Sequence, residues 1–213
     1  MRALIIGATG ATGKDLVSVL LSDPAYTEVV TFVRRRSGNV HNKLFEVLTD
    51  FDHPEQVTDS IHGDVWFSCL GTTIKIAGTK ENQWHIDYEI PVKFAGLAKD
   101  NGVPCAVLLS SFGASSASKV FYSQMKGKLE EKIGSLAFER YIVFKPGLLV
   151  RKNSDRPAER VMGGVLNFMN RIGFLKKFKP MPTEVLAEKL AKAPKVFGAG
   201  KHVVALDEIH SFY

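Results

Sequence analysis

Two stretches of the sequence place a tyrosine four residues ahead of a lysine, a spacing that could support proton transfer. They are YSQMK, from Tyr122 to Lys126, and YIVFK, from Tyr141 to Lys145. A phenol can give its proton to a carbonyl oxygen on which negative charge builds, and a nearby cation favours the phenolate. The spacing alone is weak evidence, because it also describes one turn of an ordinary helix.

The surrounding sequence separates the two matches. Residues i and i+4 lie about 6 Å apart along one face of a helix, whereas in a strand they lie about 13 Å apart. Tyr141 and Lys145 fall in the apolar run RYIVFKPG, which predicts a strand, so they cannot act as a unit. Tyr122 and Lys126 fall in a segment with helical periodicity. Only YSQMK is therefore a candidate catalytic pair.

Two serines come at the end of the apolar run VPCAVLLSS, just before the candidate pair. Ser110 and Ser111 lie twelve and eleven residues ahead of Tyr122. In a doubly wound fold, the carboxyl ends of the strands meet the ligand crevice. A serine hydroxyl there could hold a substrate carbonyl in place. Both serines are candidates, and Ser111 is preferred.

The elements that must position these residues alternate regularly along the chain. Near-continuous apolar runs separated by amphipathic segments predict a parallel sheet buried on both faces. Right-handed crossovers make this a doubly wound α/β sheet, the Rossmann arrangement, in a single domain spanning 1–213. Predicted strands lie at 2–7, 28–35, 45–50, 64–71, 103–111 and 140–149, and HVVALD forms a last one; helices are predicted at 85–102, 120–135 and 182–195, with Thr183 near an N-cap.

A glycine-rich loop, GATGATG, follows the first predicted strand directly. Glycine permits a tight turn, close approach of the backbone to a pyrophosphate and close packing of the following helix. The start of that helix offers free N–H groups and a positive dipole end to an anion. The loop therefore predicts a dinucleotide site formed by Gly7, Thr9, Gly10, Ala11, Thr12 and Gly13.

The end of the second strand favours one form of the dinucleotide. An NAD site would place a carboxylate there to bind the ribose 2′-hydroxyl, but this chain has VRRRS. Guanidinium groups bind a 2′-phosphate in a fork and stack on adenine. NADP(H) is therefore predicted over NAD(H). Arg34, at the strand end, and Arg35 are the predicted contacts, while some of the three arginines could be solvated turn residues.

Taken together, GATGATG, LLSS, YSQMK and FKPG resemble the short-chain dehydrogenase/reductase superfamily. SCLGTT, LLSSFGA, YSQMKGKLEEKI and ERYIVFKPGLL are similar to its atypical branch, which contains the HIV Tat-interacting protein; the resemblance covers about residues 2–150. It implies that Tyr122 is the general acid/base, that Lys126 binds the nicotinamide ribose, and that Ser111 or Ser110 polarises the substrate. It also implies that Leu70, Gly71 and Thr72 lie along the cofactor, and that Pro146, Gly147 and Leu148 flank the nicotinamide carboxamide.

One position departs from the superfamily pattern. Members often carry an asparagine that supports a proton relay through the lysine, and the corresponding segment here reads HIDYEIP, with Asp87. The expected function is an NADP(H)-dependent oxidoreductase acting on a small carbonyl or alcohol. The alternative is an NADPH-sensing binding protein without significant turnover. Sugar-nucleotide isomerisation is less favoured, because the C-terminal part is small for a nucleotide-sugar domain.

Residues 151–182 are expected to cover the substrate side of the site. Their apolar side chains either line a pocket or belong to the core. His85, beside Trp84 in what the sequence suggests is a loop, could reach the active site but is not counted among its residues. The apolar candidates in the cover are Met162, Leu166, Phe168, Met169 and Phe174.

Composition limits the remaining partners. The net charge is +6, and residues 151–201 hold twelve Lys and Arg against four Asp and Glu. No nucleic-acid motif accompanies this charge, so no nucleic-acid partner is expected. The sequence contains no apolar run long enough to span a membrane, the first apolar run is too short for a secretory signal, and the two cysteines are expected to be free thiols. A cytoplasmic protein without a metal site, monomeric or homodimeric, is expected.

Overall fold

A seven-stranded parallel sheet forms the centre of the computed structural model, which describes residues 1–150 and 180–212. The strand order is β3-β2-β1-β4-β5-β6-β9, and β7 pairs with β8 in a separate two-stranded ribbon. The strands are β1 (Arg2–Ile6), β2 (Glu28–Val33), β3 (Leu44–Leu48), β4 (Val65–Ser68), β5 (Cys105–Leu109), β6 (Arg140–Lys145), β7 (Leu149–Val150), β8 (Met181–Pro182) and β9 (Gly200–Ala205).

Helices cover both faces of the sheet. The helices are α1 (Ala11–Ser22), α2 (Ile74–Ala77), α3 (Lys80–Trp84), α4 (Ile90–Asp100), α5 (Phe121–Gly134), α6 (Thr183–Val196) and α7 (Asp207–Ser211), with a 3-10 helix at Pro54–Ser60 and a π-helical turn at His85–Glu89. This is the predicted doubly wound Rossmann arrangement in one domain. The expected cover, 151–182, lies outside the described residues except for 180–182.

Odd and even positions along a strand point to opposite faces of the sheet, so they pack against different helices. Ala3 and Ile5 of β1 belong to a core that α1 and α6 complete, whereas Leu4 and Ile6 belong to a second core completed by α4 and α5. Side chains alternate between faces in a strand, so an uninterrupted apolar run supplies both cores at once. This explains why the central strands show no polar alternation in the sequence.

The structure corrects the sequence prediction in three places. Trp84 and His85, expected to lie in a loop, end α3 and begin the π-helical turn; Thr79 caps α3 by accepting a hydrogen bond from the backbone N–H of Asn82. The sixth strand ends at Lys145, and Leu149 opens β7 instead. The helix predicted from His85 onward begins with a π-helical turn before α4.

Strand order reverses between β1 and β4, and the turns that follow these strands touch. Gly7 has φ +80°, and a Cβ added to it would lie 2.5 Å from the carbonyl carbon of Cys69 and 2.6 Å from the nitrogen of Leu70. The N–H of Cys69 donates to Ile6 O at 3.0 Å. A crevice outside the strand ends opens at such a switch point.

Gly127 sets how closely α5 approaches the loop that follows β5. An added Cβ would lie 2.1 Å from the backbone carbon of Ser115 and 2.2 Å from the nitrogen of Ser116. Gly127→Ala should therefore lower the free energy of unfolding by about 1–3 kcal/mol, because overpacking forces backbone to shift. Urea unfolding of the purified variant measures this loss.

The matched control is Gly96→Ala in α4. Within residues 1–150 and 180–212, no heavy atom beyond the backbone of α4 itself and the two neighbouring residues lies within 4 Å of a Cβ added there. Alanine should therefore raise stability by up to about 1 kcal/mol through helix propensity. Equal effects of the two substitutions would show that contact with the 115–116 backbone does not matter.

Candidate active site

Three cavities lie along the carboxyl edge of the sheet. The tyrosine cavity, about 260 Å³, lies between the start of α1, the 69–73 turn and α5. The histidine cavity, about 360 Å³, lies beyond the ends of β2 and β3, and the arginine cavity, about 510 Å³, lies on the α1 side of the same strands. Leu70 lines the first two, and Thr9 lines the last two. The three therefore form a connected row.

The tyrosine cavity brings together most of the residues that the sequence assigns to chemistry. Tyr122 and Lys126, one turn apart on α5, lie in its wall with Ser110 from the end of β5. The first turn of α1 and the 70–72 turn also contribute. The predicted residues found there are Gly10, Ala11, Thr12, Leu70, Gly71, Thr72, Ser110, Tyr122 and Lys126.

Lys126 and Tyr122 have contrasting environments. Lys126 is 2% exposed, and its Nζ donates to Leu70 O at 3.2 Å. Tyr122 is 37% exposed. The fixed ammonium holds the 70–72 turn and places positive charge in the wall, while the phenol keeps contact with solvent.

Asp87 explains how the 70–72 turn and Lys126 are held. This carboxylate is fully buried in the π-helical turn, and its two oxygens lie 2.8 and 3.1 Å from the backbone nitrogen of Thr72. Gln83 Nε2 donates to Thr72 O at 2.9 Å. Burial raises the pKa of Asp87, and the charge of Lys126 and the Thr72 N–H act in the opposite direction. The position where an asparagine was expected thus holds a buried carboxyl group electrostatically coupled to the lysine.

The two serines do not share a role. Among the described residues that line the tyrosine cavity, Ser110 is present and Ser111 is not. The N–H of Ser110 donates to Phe144 O at 2.8 Å, continuing the sheet, and its hydroxyl donates to Glu130 at 2.5 Å. The carbonyl of Ser111 accepts from the N–H of Ala114 in the following turn. Of the two serines, the structure places Ser110 in the cavity wall, because the strand ends at Leu109, one residue before it. The role toward the substrate that the resemblance implies for Ser111 or Ser110 stays a prediction.

The second Tyr-x-x-x-Lys match is structural, as predicted. Tyr141 is 3% exposed, its hydroxyl donates to Glu130 O at 3.1 Å, and burial raises its pKa above the ordinary value. Lys145 lies 2.8 Å from the carboxylate of Glu130. Neither is free to exchange protons with a substrate as the partner of the other.

The glycine loop forms an anion cradle. Gly10 is the N-cap of α1, and its N–H donates to Gly7 O at 3.0 Å. A Cβ added to Gly10 would meet only Gly7 O, at 3.3 Å, so its cavity side is open. A Cβ on Gly13 would lie 2.0 Å from the same oxygen, so Gly13 permits packing of the helix on the turn. The first-turn N–H groups of α1 thus face a space that a pyrophosphate can enter.

The arginines divide between the other two cavities. Arg34 lines the histidine cavity together with Gly7 and Thr9, and Arg35 and Arg36 line the arginine cavity. Lys14 of α1 and Thr31 also line the arginine cavity. Cationic side chains suit a phosphate or another anion. The row of cavities therefore has room for an extended anionic ligand, with cationic groups at its arginine end.

His85 lies at the rim of the histidine cavity and away from Tyr122. Its Nε2 is 2.7 Å from Asp52 Oδ1, and its Nδ1 is 2.9 Å from Glu89 Oε2. Both partners are acceptors, so both ring nitrogens donate only when the imidazole is protonated. The hydrogen bond that His85 donates to Glu89, and then the one that it donates to Asp52, raise the pKa of His85. When it is protonated, the ring ties the loop after β3 to the π-helical turn.

Three predicted contacts lie beside the cavities instead of in their described walls. Pro146 O accepts from Phe112 N at 2.9 Å, and Leu148 O accepts from Met181 N at 2.9 Å. A Cβ on Gly147 would lie 3.2 Å from Leu206. The next residue, Leu149, lines the tyrosine cavity. The 146–148 segment thus supports the wall that Leu149 completes.

Sequence reasoning missed several lining residues. In the histidine cavity the end of β3 supplies Thr49, Asp50, Phe51 and Asp52; the rule that ligands bind beyond the strand ends could have found them. In the tyrosine cavity the missed residues are Cys69, Thr73, Ile76, Leu109, Leu149 and Thr183. Burial raises the pKa of Cys69 to about 12, so at neutral pH this free thiol is not a thiolate nucleophile.

Within residues 1–150 and 180–212, no group of three or more His, Cys, Asp or Glu side chains could hold a metal ion. A membrane-crossing helix would have to be longer and more apolar than any in that part of the chain.

Comparison with known proteins agrees with this geometry. The family described as semialdehyde dehydrogenase, NAD binding domain, matches residues 2–84. Among solved structures, a short-chain dehydrogenase/reductase superfamily protein from Agrobacterium tumefaciens with bound NAD superposes with a TM-score of 0.71 at 14% identity, over 97% of this chain and 77% of that one. UDP-glucose 4-epimerase from Thermotoga maritima gives 0.72 at 15% identity, over 96% and 76%. At these identities the superpositions show the fold, a Rossmann-like α/β arrangement around a parallel sheet.

Two relatives narrow the assignment. The mitochondrial protein fmp52 of Emericella nidulans is 35% identical over 165 residues, which is 74% of this chain and 71% of that protein. Protein HTATIP2 of Rattus norvegicus is 36% identical over 160 residues, which is 73% and 66% of the two chains. The chain belongs to the family that contains fungal FMP52 and HTATIP2, which confirms the resemblance found in the sequence.

The His85 contacts predict a pH-dependent contribution to stability. Because the folded pKa of His85 is raised above the ordinary 6.5, the contribution is complete below 6.5 and is lost as pH rises through the folded pKa. Wild type should exceed His85→Gln in unfolding free energy by up to about 1 kcal/mol at pH 6, discounted because the side chain is partly exposed. The difference should shrink at mildly alkaline pH, measured by urea unfolding.

Glu89→Gln is the control, because it removes the largest cause of the shift. The pH dependence of that variant should be flatter than that of wild type. A wild-type advantage that stayed constant from pH 6 to 9 would contradict the ion-pair account.

Proposed function

We propose that the protein is an NADP(H)-dependent oxidoreductase that interconverts a small carbonyl and its alcohol. The observation that carries this proposal is the tyrosine cavity, where Tyr122 and the buried Lys126 face the N-terminal turn of α1. A proton donor, a fixed cation and an anion cradle in one cavity are what hydride transfer beside a dinucleotide requires.

The proton that the substrate oxygen receives comes from a side chain of the protein. When bound, the nicotinamide supplies a hydride to the substrate carbon or takes one from it. Tyr122 gives its phenolic proton to the oxygen on which charge builds, so the carbonyl gains one hydride and one proton and becomes an alcohol. Lys126 stabilises the remaining phenolate. Since Tyr122 is 37% exposed, solvent can return its proton directly.

NADP(H) is the proposed cofactor form. Arg34 and Arg35, with Lys14 and Arg36, surround the far end of the row of cavities. Guanidinium groups bind phosphate in a fork, and a 2′-phosphate would add two negative charges near them. Gly7, Gly10 and the first turn of α1 are proposed to hold the pyrophosphate.

A second candidate function is NADPH sensing without significant turnover. Asp87 favours it, because a buried carboxyl replaces the asparagine that often supports the proton relay. Solvent access to Tyr122 favours the enzyme instead. Epimerase activity is the weakest candidate, because similarity to UDP-glucose 4-epimerase at 15% identity concerns the fold.

Tyr122→Phe tests the enzymatic proposal. NADPH oxidation over a panel of aldehydes, ketones and quinones should fall by about 10²- to 10⁴-fold, because the phenolic proton donor is lost. Tyr141→Phe removes the phenol of the other Tyr-x-x-x-Lys match and should leave turnover within about twofold, with a stability loss of about 1 kcal/mol for its hydrogen bond.

Activity that survives in Tyr122→Phe would refute the assigned mechanism. Tight NADPH binding with no oxidation of any substrate by wild type would favour the sensing function instead.

The cofactor preference is tested by fluorescence titration with NADPH and NADH. Arg34→Ala and Arg35→Ala should each weaken NADPH binding about tenfold, because a charge-assisted hydrogen bond is lost, while NADH binding changes little. Lys132→Ala removes the same charge from an exposed position on α5 and should not alter the ratio. Equal wild-type affinities, or tighter NADH, would overturn the arginine argument.

The compartment is also a proposal. We propose the cytoplasm, because Cys69 and Cys105 are free and a reducing compartment suits free thiols. The names of the fungal relatives place those proteins in mitochondria. The proposed partner is a small-molecule substrate, and the chain acts as a monomer or homodimer.

A further inference from the structure

Ser110 reaches the tyrosine cavity with its hydroxyl already engaged. Its backbone N–H continues the pairing with β6, and its side chain is 5% exposed. The Oγ lies 2.5 Å from Glu130 Oε1. The serine that faces the substrate is therefore fixed by a neighbour on α5.

Glu130 is held so that it can only accept. It is 8% exposed, and its second oxygen lies 2.8 Å from Nζ of Lys145. Lys145 also donates to Ala114 O at 3.3 Å. A carboxylate paired with a partly buried ammonium offers two acceptor oxygens and no proton.

This arrangement decides whether the hydroxyl of Ser110 donates or accepts hydrogen bonds in the cavity. A hydroxyl has one proton, and that of Ser110 goes to Glu130, so only lone pairs face the cavity. A reacting carbonyl oxygen also only accepts, so it takes its hydrogen bond from Tyr122. None of the described residues donates a hydrogen bond to Oγ of Ser110, so this acceptor is open to a second donor on the substrate.

We infer that the substrate carries a hydroxyl next to the reacting carbonyl, and that this hydroxyl donates to Ser110. Glu130 is the positioning residue that makes Ser110 an acceptor. The substrate class is an α-hydroxycarbonyl compound or the corresponding vicinal diol. This inference rests on the proposed function, because it assigns the reacting oxygen to Tyr122. Ile76, Leu109 and Leu149 supply apolar surface for the rest of the molecule.

Three matched ketones test the inference by binding. They are 2-hydroxyacetophenone, which has a donor, 2-methoxyacetophenone, which has only an acceptor there, and acetophenone, which has neither. Calorimetric titration of the NADP⁺-loaded protein should show the hydroxy ketone binding about tenfold more tightly than the methoxy ketone, the effect of one hydrogen bond. Equal binding of the two, or binding of neither, would overturn the inference.

Glu130→Gln makes Ser110 a hydrogen-bond donor toward the cavity, and it hardly changes the shape of the side chain at residue 130. The amide oxygen would face Lys145, and the amide N–H would donate to Ser110, freeing the serine proton for the cavity. The hydroxy-to-methoxy affinity ratio should fall to about one or below. Glu131→Gln is the matched control, because Glu131 pairs with Ser116 at the surface one residue further on, and its ratio should equal that of wild type.

Ser110→Ala gives an independent test if the Glu130 variant does not fold. The hydroxy ketone should lose its advantage over the methoxy ketone, and a persisting advantage would refute the inference. Binding tests this inference and turnover tests the proposed enzyme activity, so the failure of one can be told from the failure of the other. A binding ratio as expected without NADPH oxidation would refute the proposed enzyme activity and leave the recognition of a hydroxyl intact.

Discussion

The ligand edge depends on the close backbone contact between the turn at Gly7 and the turn at Cys69–Leu70. No side-chain carbon fits between the two turns. The strands that precede them, β1 and β4, therefore end at the same level. Every group in the row of cavities is placed relative to this contact. The start of α1 leaves from one turn, and the carbonyl that receives Lys126 belongs to the other.

Helix α5 places three polar side chains at that edge, spaced four residues apart. Tyr122, Lys126 and Glu130 lie on one helical face, and they meet in turn the solvent-facing mouth, the 70–72 turn and the end of β5. Gly127 lets this face approach the loop after β5. The buried charges are tolerated because each has a partner: Lys126 bonds Leu70 O, Asp87 bonds the Thr72 N–H, and Glu130 bonds Lys145.

Sequence reasoning recovered the sheet because its strands are continuous apolar runs that fill two cores. It also separated Tyr122–Lys126 from Tyr141–Lys145, because a helix and a strand space four residues differently. It preferred Ser111 to Ser110, whereas the structure ends the strand at Leu109 and places Ser110 in the cavity wall. A one-residue difference turns a side chain to the other face, and the apolar pattern does not record it.

The sequence also did not reveal which residues far apart along the chain contact one another. Glu130 was one charged residue on an amphipathic helix, and its partners, Ser110 and Lys145, are distant in sequence. Asp52, His85 and Glu89 come together only because the loop after β3 meets a π-helical turn. Local periodicity describes elements, whereas such clusters depend on how the elements pack.

The pairing of the first helix with the last part of the chain bears on how the protein folds. The hydroxyl of Tyr26 donates to Ala191 O at 2.7 Å, and α6 completes the same core as α1. Loop closure across 165 residues is slow compared with local pairing. During synthesis the α1 face of the sheet therefore stays partly uncovered until α6 has left the ribosome, and in that interval it is open to aggregation or to a chaperone.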